Sequence, residues 1–128
     1  MSREKFTPDI HQVFRFSLVG AMATAVHFTV ILVAVSFFSW RMIVVHGLAY
    51  LCAFLVSFVG HYKFTFASAT NWKLAFIRFL AASFITLCIS SLIVALGMAF
   101  DTPRLATLLV AAASVAIASY LLQENWVF

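Results

Sequence analysis

The sequence predicts an all-α polytopic membrane protein with four transmembrane helices. Of its 128 residues, 65% are hydrophobic and only 9% are charged, and the mean hydropathy is +1.09. A soluble domain of this size needs far more polar surface than this chain supplies. The apolar residues fall into four runs, each long enough to cross a hydrocarbon layer of about 30 Å. We expect residues 1–128 to form a single transmembrane domain.

The first span is predicted at about residues 16–38. Thr7-Pro8-Asp9 is a helix-start signal, because it combines a capping hydroxyl, a proline at a position that needs no N–H, and an acid favoured by the helix dipole. The apolar stripe that follows leads to the span. The short connection at Ser39-Trp40-Arg41 permits only an antiparallel arrangement of the first two helices.

The other spans are predicted at about residues 43–60, 75–99 and 105–122. Thr70 or Asn71 offers a cap before the third span. Asp101-Thr102-Pro103-Arg104 forms a turn with a second cap-plus-proline start before the fourth.

The chain repeats itself. Residues 57–66 and 119–128 share a layout, an apolar helix that runs into a polar tripeptide and closes on aromatic-x-aromatic, with Phe64 and Phe66 aligned to Trp126 and Phe128. We call these two stretches the exit motifs, since aromatic rings favour the headgroup boundary. At a shift of 63, Arg15 falls on Arg78. These matches predict two parallel two-helix repeats that enter the membrane the same way.

The distribution of Lys and Arg predicts that both termini are cytoplasmic. Six basic residues lie on the side of the N-terminal segment and of the connection between the second and third spans. The opposite side holds two, Arg41 and Arg104. Cytoplasmic segments carry the excess of positive charge. The six are Arg3, Lys5, Arg15, Lys63, Lys73 and Arg78.

The basic residues are also the candidate ligands for an anionic lipid. Arg15 to Arg41 spans 26 residues, about 39 Å as helix, and Arg78 to Arg104 spans the same length, so each pair brackets the bilayer. A guanidinium matches phosphate oxygens in geometry. We therefore predict lipid-phosphate binding by Arg15, Arg78 and Lys63 on the cytoplasmic side and by Arg41 and Arg104 on the far side. The alternative is that they only anchor helix ends by reaching to water.

Three polar residues are predicted to lie within the membrane: His27, Thr24 and Thr86. His27 could relay protons, or it could be a neutral imidazole bonded to a hydroxyl such as that of Thr86 or Ser90. His46 and His61 fall near helix ends, where solvation at the interface would explain them.

The sequence offers no sign of an enzyme. All four acids lie outside the predicted spans, and the chain has no Gly-rich phosphate loop and no metal-spaced histidine cluster. We expect no catalytic residues, no cofactor and no metal. The scattered basic residues argue against nucleic acid as a partner. A proton-coupled multidrug antiporter of four spans would need a carboxylate within the membrane, which no span supplies.

Small residues predict close helix contacts. On the first helix, Gly20 and Thr24 are four residues apart, as are Ala21 and Ala25. The fourth helix is slim, because each of the positions 111–114, 116, 118 and 119 holds an alanine or a serine. Four short spans enclose little volume, so a polar path would form more readily between protomers than within one. We expect a homo-oligomer.

Taken together, Phe16-Ser17-Leu18-Val19-Gly20-x-x-x-Thr24 and the two exit motifs resemble the GtrA-like family of four-span membrane proteins. The resemblance covers the chain from Gln12 onward. It implies a flippase of the bacterial inner membrane that moves a polyprenyl-phosphate-linked sugar for a partner glycosyltransferase in cell-surface polysaccharide glycosylation. A non-transporting adaptor or anchor for a glycosyltransferase is the alternative that the residues leave open.

Overall fold

The computed structural model describes residues 9–128 as four α-helices and two π-helical turns. The helices are α1 (Ile10–Phe37), α2 (Met42–Gly60), α3 (Trp72–Ala99) and α4 (Arg104–Leu122). The first π-turn, His61–Thr65, follows α2, and the second, Gln123–Val127, follows α4. The prediction of an all-helical protein with four spans is confirmed. The predicted roles of Arg3, Lys5, Thr7 and Pro8 lie outside the described residues.

Side-chain caps explain where α1 and α3 begin. The Asp9 carboxylate accepts a hydrogen bond from the His11 amide at 3.0 Å, and the Asn71 side chain accepts one from the Lys73 amide at 3.0 Å. The cap predicted at Thr70 or Asn71 is therefore made by Asn71. Both helices start before the predicted spans, because the polar residues that precede each apolar run join the same helix.

The start of α4 differs from the prediction. Pro103 occupies the capping position rather than the first helical position, and no side chain caps the first turn. The preceding turn needs a left-handed residue at Asp101, whose φ is 54°. Aspartate tolerates this conformation better than most residues. The Thr102 hydroxyl therefore does not play the capping role that the sequence predicts.

Each π-turn closes with one wide backbone hydrogen bond. The Phe66 amide donates to the His61 carbonyl, and the Phe128 amide donates to the Gln123 carbonyl, both at 3.0 Å. This five-residue spacing replaces the four-residue spacing of the α-helix that runs into it. The exit motifs therefore stay helical where the sequence predicts a polar loop after residue 60.

The chain forms two compact units, Met1–Ser68 and Ala69–Phe128. Unit 1 contains α1, α2 and the first π-turn; unit 2 contains α3, α4 and the second π-turn. The lengths agree element by element, with 28 residues in α1 and α3, 19 in α2 and α4, and five in each π-turn.

The buried positions of the two units also correspond. At the shift of 63 for the first helix and 62 for the second helix and π-turn, six pairs of equivalent residues are buried in both units. Two repeats would preserve this pattern if both used the same helix faces for packing. The pairs are Val19 and Ala82, Val45 and Thr107, Ala49 and Ala111, Phe58 and Tyr120, His61 and Gln123, and Thr65 and Val127.

Close packing in unit 1 depends on a glycine. A Cβ atom built on Gly60 would lie 2.7 Å from Cγ1 of Val19, so the backbone of α2 touches this valine side chain directly. In unit 2, Ala82 is the equivalent of Val19 and Leu122 is the equivalent of Gly60. The larger residue of the pair therefore lies on the second helix of unit 2 but on the first helix of unit 1. Helix pairs in membranes rely on such small residues for close approach.

Several of the small residues of α1 are exposed in the described part of the chain. Ala21, Thr24 and Ala25 are exposed, and a Cβ built on Gly20 would meet nothing within 4 Å. On α4, Ala111 is buried, whereas Ala112, Ala113 and Ala116 are exposed. The exposed positions of α1 therefore lie outside the packing of unit 1, and the close helix contact that they predict stays a prediction.

Most large apolar side chains on the helices are exposed, including Phe28, Leu32, Phe84 and Leu109, each at 60% or more. An apolar surface of this extent needs a nonaqueous environment. Ile10–Phe37, Met42–Thr65, Trp72–Ala99 and Arg104–Val127 are each long and apolar enough to cross a membrane.

The substitution Gly60→Leu should destabilise unit 1, because its side chain would collide with Val19. Overpacking of this kind costs about 1–3 kcal/mol. Adding Val19→Ala recreates the residue pair of unit 2 and should recover most of the loss. Thermal unfolding of the single and double variants in detergent measures both effects. Equal unfolding midpoints for Gly60→Leu with and without Val19→Ala would contradict the contact.

Candidate lipid-phosphate site

An arginine–phenylalanine pair on α1 contacts the first π-turn and its end. The Arg15 guanidinium lies over the Phe64 ring, with its central carbon 5.4 Å from the ring centroid. The neighbouring Phe16 ring stacks on His61 at a centroid distance of 4.6 Å and meets Phe66 edge-on at 6.5 Å. Stacking with a cation fixes the guanidinium without using its N–H groups.

Unit 2 makes the same pairing with different bonds. The Arg78 guanidinium donates a hydrogen bond to the Trp126 carbonyl at 3.0 Å, and the Phe79 ring lies 6.1 Å from the Phe128 ring. Trp126 and Phe128 are the equivalents of Phe64 and Phe66. Each arginine therefore contacts the same residue of its own π-turn. We call this arrangement of arginine, phenylalanine and π-turn the clasp.

The five predicted phosphate ligands lie at the two ends of the units. Lys63 is exposed and precedes Phe64, so it shares one end of unit 1 with Arg15. Arg41 is the capping residue of α2, at the opposite end of that unit. Arg104 is the first residue of α4 and lies at the end of unit 2 away from its π-turn. In unit 1, the part of α1 from Arg15 to Phe37 is about 33 Å long and separates the end that carries Arg15 and Lys63 from the end that carries Arg41.

The prediction that His61 is solvated at the interface is wrong. His61 is only 2% exposed, not solvated at an interface. Its Nδ1 forms a hydrogen bond with the Thr65 hydroxyl at 2.9 Å. The stacked Phe16 ring covers the imidazole, and no pattern in the sequence indicates this contact. His61 is therefore a packing residue beneath the clasp.

The second π-turn leaves polar atoms unpaired. The Gln123 amide donates to the Ser119 hydroxyl at 2.8 Å. Gln123 Oε1 and Glu124 Oε2 are buried without a hydrogen-bond partner among the described residues. Buried acceptors of this kind cost free energy unless a donor reaches them. A donor from outside the described residues, such as a water molecule, would satisfy both.

The polar residues predicted within the spans make contacts on their own helix or between α1 and α2. The Thr24 hydroxyl donates to the Gly20 carbonyl, and the buried Thr86 hydroxyl donates to the Ser83 carbonyl. Both bonds are local to one helix, a frequent way to satisfy a hydroxyl in an apolar segment. His27 is half-buried, and its ring lies 6.3 Å from that of His46 across α1 and α2. The pairing of His27 with Thr86 stays a prediction.

The clasp presents cations in a defined position. A guanidinium has five N–H donors, and Arg78 uses one of them on the Trp126 carbonyl. Arg15 is held through the face of its guanidinium, so its N–H groups point around the edge of the plane. Such fixed forks suit bidentate binding of phosphate oxygens. Among the described residues no cluster of His, Cys, Asp and Glu could hold a metal ion.

Four helices able to span a bilayer define a multi-pass membrane protein. The chain belongs to the GtrA/DPMS transmembrane domain family, whose model matches residues 15–128. The match begins at Arg15, includes both clasps, and confirms the resemblance stated from the sequence. No curated protein and no solved structure matches the chain significantly. Membership is consistent with a membrane protein linked to the handling of polyprenyl-phosphate sugars.

The clasp should contribute to stability through its buried ring. Phe79 is 3% exposed, whereas Phe84 on the same helix is 67% exposed. We expect Phe79→Ala to cost about 2 kcal/mol or more through the cavity it leaves, and the matched control Phe84→Ala to cost little. Unfolding by denaturing detergent measures the difference. Equal losses in the two variants would show that the ring packs no better than a residue facing lipid.

Proposed function

We propose that the protein is a flippase that moves a polyprenyl-phosphate-linked sugar across the bacterial inner membrane for cell-surface polysaccharide glycosylation. The observation that carries the proposal is the repeated clasp, which fixes Arg15 and Arg78 at equivalent positions of the two units. A phosphodiester headgroup needs such fixed donors. Family membership supports the class of lipid.

In this proposal Arg15, Arg78 and Lys63 bind the lipid phosphate on the cytoplasmic side, and Arg41 and Arg104 bind it on the far side. The polyprenyl chain stays in the bilayer, where the exposed apolar side chains of the helices match it. Only the sugar and phosphate need a polar path. We place that path between protomers of a homo-oligomer, whose contacts the exposed small faces of α1 and α4 would supply. No catalysis is needed, because no covalent bond changes.

A second candidate is a non-transporting adaptor that anchors a glycosyltransferase. The exposed Ala112, Ala113 and Ala116 on α4 favour it, because a slim helix face invites close packing by another transmembrane helix. The two proposals differ in what the isolated protein does. A flippase acts alone in a bilayer, whereas an adaptor needs its enzyme.

The double variant Arg15→Ala, Arg78→Ala should lose transport of a polyprenyl-phosphate sugar in reconstituted liposomes. Hydrogen bonds to charged groups contribute about 1.5–3 kcal/mol each, so we expect the rate to fall at least roughly tenfold. The assay follows the sugar headgroup as it becomes accessible on the opposite face. Single Arg78→Ala should show a smaller loss.

Lys73→Ala is the matched control for Arg78→Ala. Lys73 is an exposed cation five residues earlier on the same helix and lies beside the Trp72 ring, outside the clasp. It should leave the rate nearly unchanged. Wild-type transport that persists in the double arginine variant would overturn the headgroup site, and liposomes in which the wild type moves no lipid would favour the adaptor.

The adaptor predicts a specific partner at α4. A photocrosslinking residue at Ala113 should capture an identified glycosyltransferase in native membranes, whereas one at the lipid-facing Phe84 of α3 should not. Capture of only a second copy of this chain at Ala113 would instead support the homo-oligomer and count against the adaptor.

A further inference from the structure

A cavity of about 470 Å³, lined by both charged and apolar side chains, lies in unit 2, where the end of α3 turns into α4. Its apolar lining residues are Val94, Met98 and Leu108. Its lining includes the charged side chains of Asp101 and Arg104, the hydroxyl-bearing Thr102 and Thr107, and Gly97. It lies at the opposite end of the unit from the clasp. Ligand pockets of roughly 300–1,000 Å³ hold small organic molecules.

The equivalent corner of unit 1 carries a different surface. The cavity there measures about 250 Å³ and is lined by Ala34, Phe38 and Trp40 together with other apolar residues and Thr29. The Phe38 and Trp40 rings stack at a centroid distance of 4.7 Å. Phe38 is the counterpart of Asp101 at the shift of 63. The two repeats therefore share a frame but differ in chemistry at this corner.

The backbone of the two corners differs as well. Phe38 is extended, with φ of −131°, whereas Asp101 is left-handed, with φ of 54°. Gly97 lies against Thr107, and a side chain at Gly97 would collide with it. The left-handed Asp101 ends α3, and the Thr102 amide donates to the Gly97 carbonyl at 2.9 Å, as in a common helix C-terminal cap. The absence of a side chain at Gly97 brings Thr107 close to the backbone of α3.

Arg104 at the cavity suits a phosphate. Arg104 supplies a guanidinium, and it begins α4, whose first turn has no side-chain cap. The uncapped amides and the helix dipole add positive potential at the same point as the guanidinium. The α2 start in unit 1 also has an arginine cap, but its neighbouring cavity is apolar.

Asp101 and Thr102 in the lining suit sugar hydroxyl groups. The Asp101 carboxylate is an acceptor only, and it would repel a phosphate placed against it, but it pairs well with hydroxyl donors. The exposed Thr102 hydroxyl can both donate and accept. A glycosyl phosphate carries an anion and several hydroxyls, and the lining supplies a cation, Arg104, and an acceptor for hydroxyl groups, Asp101.

We propose that this cavity is a glycosyl-phosphate subsite present in unit 2 alone, in which Arg104 binds the phosphate and Asp101 binds the sugar. The proposal rests on the proposed function for its class of lipid. It adds that the protein distinguishes the glycosylated lipid from the bare lipid phosphate, and that Asp101 makes the distinction.

Binding of two short-chain probes to the purified full chain in detergent tests the subsite: citronellyl phosphate and citronellyl-phosphate-linked glucose. We expect the wild type to bind the glycosylated probe about tenfold more tightly. Asp101→Asn should reduce that ratio to near one while binding of citronellyl phosphate is kept, because Asn also tolerates the left-handed conformation. Arg104→Gln should weaken both probes by about tenfold.

Asp9→Asn is the matched control, since it makes the same charge change at an exposed acid in unit 1 and preserves a capping side chain. It should leave the ratio unchanged. A wild-type ratio near one, or a ratio that Asp101→Asn and Asp9→Asn affect equally, would overturn the subsite. Because binding is measured without transport, preference for the glycosylated probe in a protein that moves no lipid would refute the flippase and retain the subsite.

Discussion

The contact between an arginine–phenylalanine pair and a π-turn closes one end of each unit, and the placement of the cations depends on it. The π-turn after α2 brings Phe64 into contact with Arg15 on α1. The π-turn after α4 brings Trp126 into contact with Arg78 on α3. The phenylalanine beside each arginine packs under the turn. A guanidinium fixed in this way loses less conformational entropy on binding phosphate than a freely moving side chain would.

The two units share a helical framework but differ in their polar and charged groups. Six pairs of equivalent residues are buried in both units, so much of the packing plan is shared. In the first π-turn His61 and Thr65 bond to each other, whereas in the second Gln123 Oε1 and Glu124 Oε2 have no hydrogen-bond partner among residues 9–128. At the opposite end, unit 1 has an apolar corner and unit 2 has a charged one. Under the proposed function, one charged corner is enough to bind the single headgroup of a lipid.

Much of the fold could be predicted from the sequence because helices in lipid are long, apolar and locally capped. Asn71, the four spans and the matched arginines all follow from residue type and spacing. The π-turns could not be predicted, since wide π-type hydrogen bonds are rare and have no clear signal in the sequence. The rings of Phe16 and Phe79 that pack against these turns and their ends come from a distant part of the chain. The burial of His61 follows from the same contact. The corner at Asp101 was read as a capped helix start, because sequence does not show that the chain turns left-handed there. The orientation in the membrane and the parallel arrangement of the repeats stay predictions from charge and sequence.

The central claim is that the clasp arginines bind the lipid phosphate directly. Solid-state NMR of the protein in bilayers, with ¹⁵N-labelled arginine side chains and polyprenyl phosphate, measures ¹⁵N–³¹P dipolar contact. Direct bonding brings these nuclei within about 4 Å, so the wild type should show strong dephasing of the guanidinium signal, and Arg15→Lys, Arg78→Lys should lose the part that comes from the clasp. Dephasing that is unchanged in that double variant would contradict the account.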